Sequence, residues 1–137
     1  MANVREIQNP AFSAVLTRSL RNLGIQQVIK FDRVLLNDGN CYETHTGMFT
    51  APVAGRYLFI YNFGLHGSTE TWLQLVKNGA RQNQAGVEGK VSDQNLQGGN
   101  AAIIYLNQGD DVWIETAILS DVTVEEYSTT FSGALLY

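Results

Sequence analysis

Charged residues and cysteine are both scarce in this chain. Only 16% of its 137 residues are charged, against about a quarter in an ordinary globular domain. No two lysines or arginines are adjacent, and the formal net charge is −4. This excludes the basic footprint of a nucleic-acid-binding protein and a polybasic patch for membranes. The single cysteine, Cys41, cannot form an intrachain disulfide. We interpret it as a buried, inert thiol, with an intermolecular bridge or a reactive thiol as the alternatives.

Long apolar runs are missing as well. No stretch approaches the roughly 18 apolar residues that a membrane-spanning helix needs, which argues against membrane insertion. Residues 1–9 lack the apolar core and the cleavage site of a signal peptide, so the chain is either cytosolic or separated from a leader. No linker, low-complexity tract or repeat divides the chain. We therefore interpret residues 1–9 as an N-terminal extension and residues 10–137 as one domain.

The distribution of glycine and proline indicates many short strands. The chain has 13 glycines and only two prolines, a punctuation typical of β-rich domains. Asn78-Gly79 supplies the positive φ angles of a type I′ hairpin turn between two strand-like segments. Three further dipeptides are interpreted as turns, namely Asp38-Gly39, Gly98-Gly99 and Gln108-Gly109.

Three strand-like segments are apolar on both faces. In residues 55–65 a series of large residues alternates onto one face, as a sandwich core requires, while the opposite face is also apolar in its middle. Residues 101–106 and 112–118 repeat this pattern. Because an antiparallel sandwich strand needs only one apolar face, we predict that a partner chain covers the second; covering loops are the alternative. The predicted outward residues are Leu58, Ile60, Ile104 and Ile114.

One segment contradicts the all-β pattern. Its apolar residues recur at helical spacing from Phe12 to Leu23. Asn9-Pro10 before it resembles a helix start, and Gly24 after it resembles a C-cap. On this pattern alone, a helix is predicted.

Eight residues between positions 31 and 61 carry a family resemblance. Their spacing is F-x5-N-x4-Y-x6-F-x5-G-x-Y-x-F-x-Y, and it resembles the signature of the C1q domain family at every fixed position. Residues 106–113 (LNQGDDVW) and 130–136 (TFSGALL) are similar to later strands of that family. The eight signature residues are Phe31, Asn37, Tyr42, Phe49, Gly55, Tyr57, Phe59 and Tyr61.

The resemblance implies an all-β fold, a ten-stranded jelly-roll β-sandwich of the C1q and tumour-necrosis-factor type that assembles as a homotrimer. It also replaces the helix, because residues 11–17 become a strand paired with residues 130–137. No Gly-X-Y repeat is present, so the chain is similar to head-only, C1q-like members without a collagen stalk. The resemblance further implies a secreted, extracellular protein.

The sequence favours binding over catalysis. His45 and His66 stand outside any catalytic or zinc motif, and no phosphate-binding loop is present, so we predict no enzyme. Some C1q-family heads bind calcium, so the resemblance leaves calcium as a possible cofactor. The pairs Asp110-Asp111 and Glu125-Glu126 would point to opposite faces of a strand, so a calcium site would have to be built across a three-fold axis.

Three polar segments, residues 64–70, 83–100 and 120–127, are interpreted as long loops that bind a ligand. Their amides, hydroxyls and carboxylates suit sugar hydroxyls. The resemblance implies a pattern-recognition lectin of innate immunity that binds microbial glycans or similar pathogen-associated ligands through a multivalent trimer. The alternative is a trimeric signalling ligand, similar to cerebellins or tumour-necrosis-factor-like cytokines, that binds a receptor. The predicted ligand-binding residues are Asp121, Glu125, Tyr127, His66 and Asn95.

Overall fold

The computed structural model describes residues 9–66, 70–88 and 95–137, and within these ranges the chain forms twelve strands and no helix. Consequently none of the described residues belongs to a helix long and apolar enough to cross a membrane. Residues 1–8, nearly all of the predicted extension, lie outside the described ranges. The strands are β1 Ala11–Val15, β2 Leu20–Leu23, β3 Arg33–Asp38, β4 Tyr42–Glu43, β5 Met48–Thr50, β6 Gly55–His66, β7 Glu70–Lys77, β8 Ala80–Glu88, β9 Asn95–Leu106, β10 Asp111–Thr116, β11 Val122–Val124 and β12 Thr130–Leu135.

Ten of these strands form two five-stranded antiparallel sheets. The front sheet has the order β3-β1-β12-β6-β9, and the back sheet has the order β4-β5-β10-β7-β8. The remaining two strands, β2 and β11, pair with each other. The first and last strands, β1 and β12, lie side by side from Ala11↔Ala134 to Val15↔Thr130. This pairing confirms the strand implied for residues 11–17.

The helix suggested by the spacing in Phe12–Leu23 is wrong. The segment is split into β1 and β2. Phe12 and Ala14 alternate into the core as strand residues do, while Val15 and Leu16 are both buried where the strand ends. Two consecutive buried residues at a strand end reproduce part of a helical pattern, which explains why the spacing misleads.

Aromatic side chains fill the space between the two sheets. On β6 the residues Tyr57, Phe59, Tyr61 and Phe63 are fully buried, which confirms the predicted inward face of this strand. Ring centroids lie 5.2 Å apart for Phe49 and Phe59, so the back-sheet strand β5 packs directly against the front sheet. The signature aromatics therefore specify the core.

Gly133 makes room for this aromatic packing. It lies within β12 opposite Phe59. A Cβ at this position would come within 2.6 Å of Phe59 Cδ1 and 2.8 Å of Phe12 Cε1, closer than carbon atoms can approach. The glycine thus allows two rings to lie against the strand backbone.

The predicted turns are confirmed in three cases and wrong in one. Asn78 and Gly79, with φ of 49° and 88°, join β7 to β8 as predicted. Gly39 and Gly109 also adopt positive φ in turns. Gly98-Gly99 is not a turn, because both residues lie inside β9. A Cβ on Gly98 would approach Val87 Cγ2 to 2.5 Å, so this glycine serves close packing instead.

Much of the polar sequence interpreted as loop is strand. The residues 64–66, 83–88 and 95–100 continue β6, β8 and β9. Most side chains of β8 and of the first half of β9 are exposed or half-buried. Their polarity therefore reflects exposure of these strands and not the absence of regular structure. Residues 67–69 and 89–94 lie outside the described ranges.

The outer face of the front sheet is apolar, as predicted, but two of its four predicted members are wrong. Ile114 is fully buried, and Ile104 packs against the core. Because Leu58 pairs with Ile103 in the register of β6 and β9, the outward residues of β9 are its odd-numbered ones. We call the resulting surface the apolar face; it consists of Leu36, Leu58, Ile60, Ile103 and Tyr105.

Cys41 is buried, as predicted, in the loop that Asn37 organises. The Asn37 side-chain oxygen accepts hydrogen bonds from the backbone N–H groups of Cys41 and Tyr42, at 3.1 and 3.0 Å. Burial raises the pKa of the Cys41 thiol to about 11. The thiol is therefore protonated at neutral pH and unreactive.

Candidate functional site

Part of the predicted ligand-binding set meets at one end of the front sheet. A cleft of about 400 Å³ opens there between the end of β6, the start of β9 and the segment that follows β11. We call it the end cleft. Its lining residues are Arg21, Gly64, Leu65, His66, Asn95, Leu96, Gln97, Glu125, Glu126 and Ser128.

His66 and Asn95 form one wall of the end cleft. They are 29 positions apart in sequence but directly opposite each other in the antiparallel register of β6 and β9. Nδ1 of His66 lies 2.8 Å from Oδ1 of Asn95. An amide oxygen only accepts, so the imidazole donates from Nδ1 in this pair. This wall offers both acceptors and donors to a hydroxyl group.

Glu125 is held in place by hydrogen bonds to both its backbone and its carboxylate. Its backbone N–H donates to the Gly64 carbonyl at 2.8 Å, and its own carbonyl accepts from the Thr129 hydroxyl at 2.7 Å. Its carboxylate oxygen Oε2 accepts from the Ser19 hydroxyl at 2.6 Å. The carboxylate is therefore oriented before any ligand binds, and Oε1 remains for a further donor.

Gly64 allows the segment around Glu125 to lie against β6. A Cβ on Gly64 would overlap the side chain of Ser128. The backbone N–H of Gly64 donates to the Thr129 hydroxyl at 3.3 Å. A larger residue here would displace the segment and with it one wall of the end cleft.

The other two predicted residues lie elsewhere. Asp121 and Tyr127 are exposed, at positive φ of 59° and 60°, and neither lines the end cleft. Tyr127 is anchored by its backbone N–H, which donates to the Leu16 carbonyl at 2.8 Å. The structure thus brings together His66, Asn95 and Glu125 and leaves these two residues apart from them.

The sequence gives little signal for two further residues of the end cleft. Arg21 lies on β2, within the segment whose spacing suggests a helix, and reaches the cleft because β2 pairs with β11. Ser128 lines the cleft because its segment lies close against Gly64 of β6. Both placements follow from long-range pairing, which local patterns do not report.

The end cleft suits hydrogen bonding to a polyhydroxylated ligand. Imidazole, amide, carboxylate, hydroxyl and guanidinium groups lie together around it, and these supply donors and acceptors in similar numbers. Within residues 9–66, 70–88 and 95–137, no three His, Cys, Asp or Glu side chains form a group able to hold a metal ion. A calcium site across a three-fold axis therefore stays a prediction.

The end cleft and the apolar face occupy the same side of the same two strands. The outward residues of β6 run from Leu58 and Ile60 to His66, and those of β9 run from Tyr105 and Ile103 to Asn95. Ile60 and His66 are six positions apart, which corresponds to roughly 20 Å along a strand. Whatever covers the apolar face therefore lies on the same side of the sheet as the end cleft.

A larger depression, of about 580 Å³, lies on the flank of the sandwich and contains none of the five predicted residues. We call it the side cleft. Its lining combines aliphatic side chains with the cations Arg18 and Lys30. The Asp32 carboxylate accepts a hydrogen bond from the Thr17 backbone N–H at 2.9 Å. The lining residues are Leu16, Arg18, Leu20, Leu23, Gln27, Val28, Lys30, Asp32, Thr44 and His45.

Curated relatives resemble this chain over most of its own length. Human "Complement C1q and tumor necrosis factor-related protein 9A" is 32% identical over 134 residues, which cover 93% of this chain and 38% of that protein. The human 9B protein of the same name is 33% identical over 116 residues, which cover 80% of this chain and 33% of that protein. The chain thus spans little more than a third of the length of these relatives.

Solved structures with the same fold come from two groups of proteins. The globular domain of zebrafish complement 1qA protein superposes with a TM-score of 0.78 at 23% identity, covering 93% of this chain and 98% of that one. The Eiger TNF of S. frugiperda superposes with a TM-score of 0.76 at 12% identity, covering 94% and 92%. At such identities these likenesses establish the jelly-roll fold alone.

The family is decided by the sequence match together with the fold. The family model of the C1q domain matches residues 11–136, which include every residue of the aromatic signature. The two five-stranded sheets, with the first and last strands paired, provide the corresponding architecture. This chain belongs to the C1q domain family.

Proposed function

We propose that the chain is a non-enzymatic recognition domain that assembles as a homotrimer and binds microbial glycans, as a secreted lectin of innate immunity does. The observation that carries this proposal is that the end cleft and the apolar face share one side of β6 and β9. Homotrimers are typical of C1q and TNF domains. A trimer formed through this face groups three end clefts.

The apolar face supports self-association. Ile103, Tyr105 and Ile60 expose 64%, 51% and 40% of their surface, and they lie on neighbouring strands. Monomeric soluble proteins rarely leave a contiguous apolar surface of this kind open to water. Three copies arranged around a closed rotation axis would remove it from water without creating an open filament.

Glycan binding is supported by the chemistry of the end cleft. Sugar hydroxyls both donate and accept, and the pair His66–Asn95 with the oriented Glu125 carboxylate matches both roles. An open polar cleft binds one sugar weakly. Three linked clefts raise the apparent affinity for a repeated ligand by roughly 10² or more.

The test is retention of the trimer on immobilised mannan, β-glucan and lipopolysaccharide, compared with free monosaccharides. We expect at least one of these surfaces to retain the trimer far more strongly than its free sugar does. Asn95→Ala should reduce this retention at least about tenfold, because each of three clefts loses a contact worth about 1 kcal/mol. The melting temperature should not change, since Asn95 is exposed.

Gln108→Ala is the matched control, because it also removes an exposed amide, in the turn between β9 and β10. It should leave retention unchanged. If no polysaccharide retains the trimer while a receptor ectodomain binds it, the lectin proposal is wrong. The predicted contacts of Asp121 and Tyr127 are tested in the same way by their alanine variants.

A trimeric signalling ligand is the second candidate, and the side cleft favours it. Arg18 and Lys30 line this cleft on a chain whose net charge is −4, so it would suit an acidic loop of a receptor. A receptor bound on the flank should be released by Lys30→Glu and should be insensitive to Asn95→Ala. The two candidate functions are thus distinguished by a single pair of variants.

A further inference from the structure

The chain contains two tryptophans, and both lie on the outer side of the back sheet. Leu73 and Leu75 of β7 and Val112 and Ile114 of β10 point into the core. By alternation along each strand, Trp72 and Trp113 face outward. Both are half-buried, so each ring has a covered part and an exposed part.

Trp72 is fixed face-down on its neighbouring strand. It stands opposite Gly86 in the pairing of β7 with β8. A Cβ on Gly86 would overlap the ring atoms Cδ2, Cε2 and Cε3 together, which means that a face of the indole, and not its edge, lies on the glycine backbone. The indole N–H donates to Oε2 of Glu70 at 2.7 Å. Only the opposite face of this half-buried ring can therefore stack on a ligand.

Trp113 has a different setting. Its indole N–H donates at 2.8 Å to Glu115, a carboxylate only 8% exposed that also accepts from Gln74 at 2.6 Å. Trp113 is therefore needed to satisfy a buried polar group. Glu70, the partner of Trp72, is exposed and does not need the indole for this purpose.

We propose that Trp72 is a stacking platform for a pyranose ring, a contact that rests on the proposed function and extends it to the back sheet. A flat aromatic face held parallel to the sheet matches the C–H face of a pyranose. In a β-galactoside, for example, three C–H hydrogens lie together on one side of the sugar ring. Aromatic rings with a polar edge suit such amphipathic partners. Oε1 of Glu70, beside the indole edge, then accepts a sugar hydroxyl in a charge-assisted hydrogen bond.

The presence of only two tryptophans allows a direct test. The full chain labelled with 5-fluorotryptophan gives two fluorine NMR resonances, and Trp72→Phe assigns them. Methyl β-galactoside should shift the Trp72 resonance saturably and leave the Trp113 resonance in place. Glycerol, a polyol without a ring face, should shift neither. A galactoside that shifts neither resonance overturns the proposal, and so does choline shifting Trp72 when the galactoside does not, because the site would then bind cations.

Gly86→Ala tests the geometry, because the added methyl group lifts the ring from the sheet. We expect at least a threefold weaker galactoside titration for Gly86→Ala and an unchanged one for Gln82→Ala, an exposed position on the same strand. Unchanged binding by Gly86→Ala contradicts the platform. If polysaccharide retention depends on Asn95 while the Trp72 resonance does not shift, this inference fails and the proposed function stands. If no polysaccharide is retained at all, the proposed function itself fails.

Discussion

Ile103→Asp should dissociate the trimer into monomers. Ile103 has the largest exposed fraction on the apolar face, 64%, and the proposed trimer would cover it with the neighbouring protomer. A carboxylate buried there without a partner costs several kcal/mol per chain, and the cost recurs in all three protomers. At micromolar concentration we expect the variant to sediment at 15.1 kDa. Its retention on polysaccharide should fall by roughly 10², because the linked sites are separated.

The matched control is Ile25→Asp, at a residue with a similar exposed fraction, 60%, that lies outside the apolar face. This variant should remain trimeric and keep its retention. The monomer made by Ile103→Asp should keep its β-sheet circular dichroism and its weak affinity for free sugar. A trimer that persists in Ile103→Asp would show that the apolar face is not the interface.

Phe59→Ala should lower the free energy of unfolding by about 3–5 kcal/mol. Phe59 is fully buried. Its ring centroid lies 5.2 Å from that of Phe49 and 6.0 Å from that of Phe131, so alanine would leave a cavity that the rigid strands cannot close. Urea unfolding checks this at one protein concentration, because the stability of an oligomer depends on concentration.

Phe59→Leu serves as the comparison that keeps a large apolar side chain, and it should cost less than Phe59→Ala. Ile118→Ala, at an exposed position, should stay within about 0.5 kcal/mol of the parent. If Phe59→Ala lowered the free energy of unfolding by no more than Ile118→Ala does, this would contradict a packed aromatic core at Phe59.

The regular parts of the fold could be predicted where residue type and spacing agree. On β6, the aromatic residues recur with a period of two at positions 57, 59, 61 and 63, and the structure buries that bulkier face. Asn78-Gly79 combines two residues that tolerate positive φ, so its hairpin is a local property. Neither prediction requires knowledge of distant contacts.

Predictions fail where two arrangements have the same local pattern. In residues 101–106 of β9 both faces are apolar, so periodicity cannot decide whether Ile103 or Ile104 points outward. The register of β9 against β6, which pairs Leu58 with Ile103, makes that choice. The turn predicted at Gly98-Gly99 is wrong for a related reason. A glycine that permits a turn and a glycine that makes room for Val87 cannot be distinguished in the sequence.

The end cleft could be predicted only in outline. The polar composition of the segments around His66, Asn95 and Glu125 suggested ligand contacts, but their adjacency depends on strand pairing across 29 positions and on the close approach at Gly64. Asp121 and Tyr127 lie in a similarly polar segment, but neither residue lines the end cleft. Composition identifies candidate residues, and topology decides which of them share a site.

Sedimentation equilibrium of the unmodified chain at micromolar concentration in reducing buffer tests the central claim most directly. Because Cys41 is buried and the proposed contact is the apolar face, we expect a particle of three times 15.1 kDa that is unaffected by the reductant. A monomer under these conditions, or a trimer that dissociates when disulfides are reduced, would contradict a trimer assembled through the apolar face.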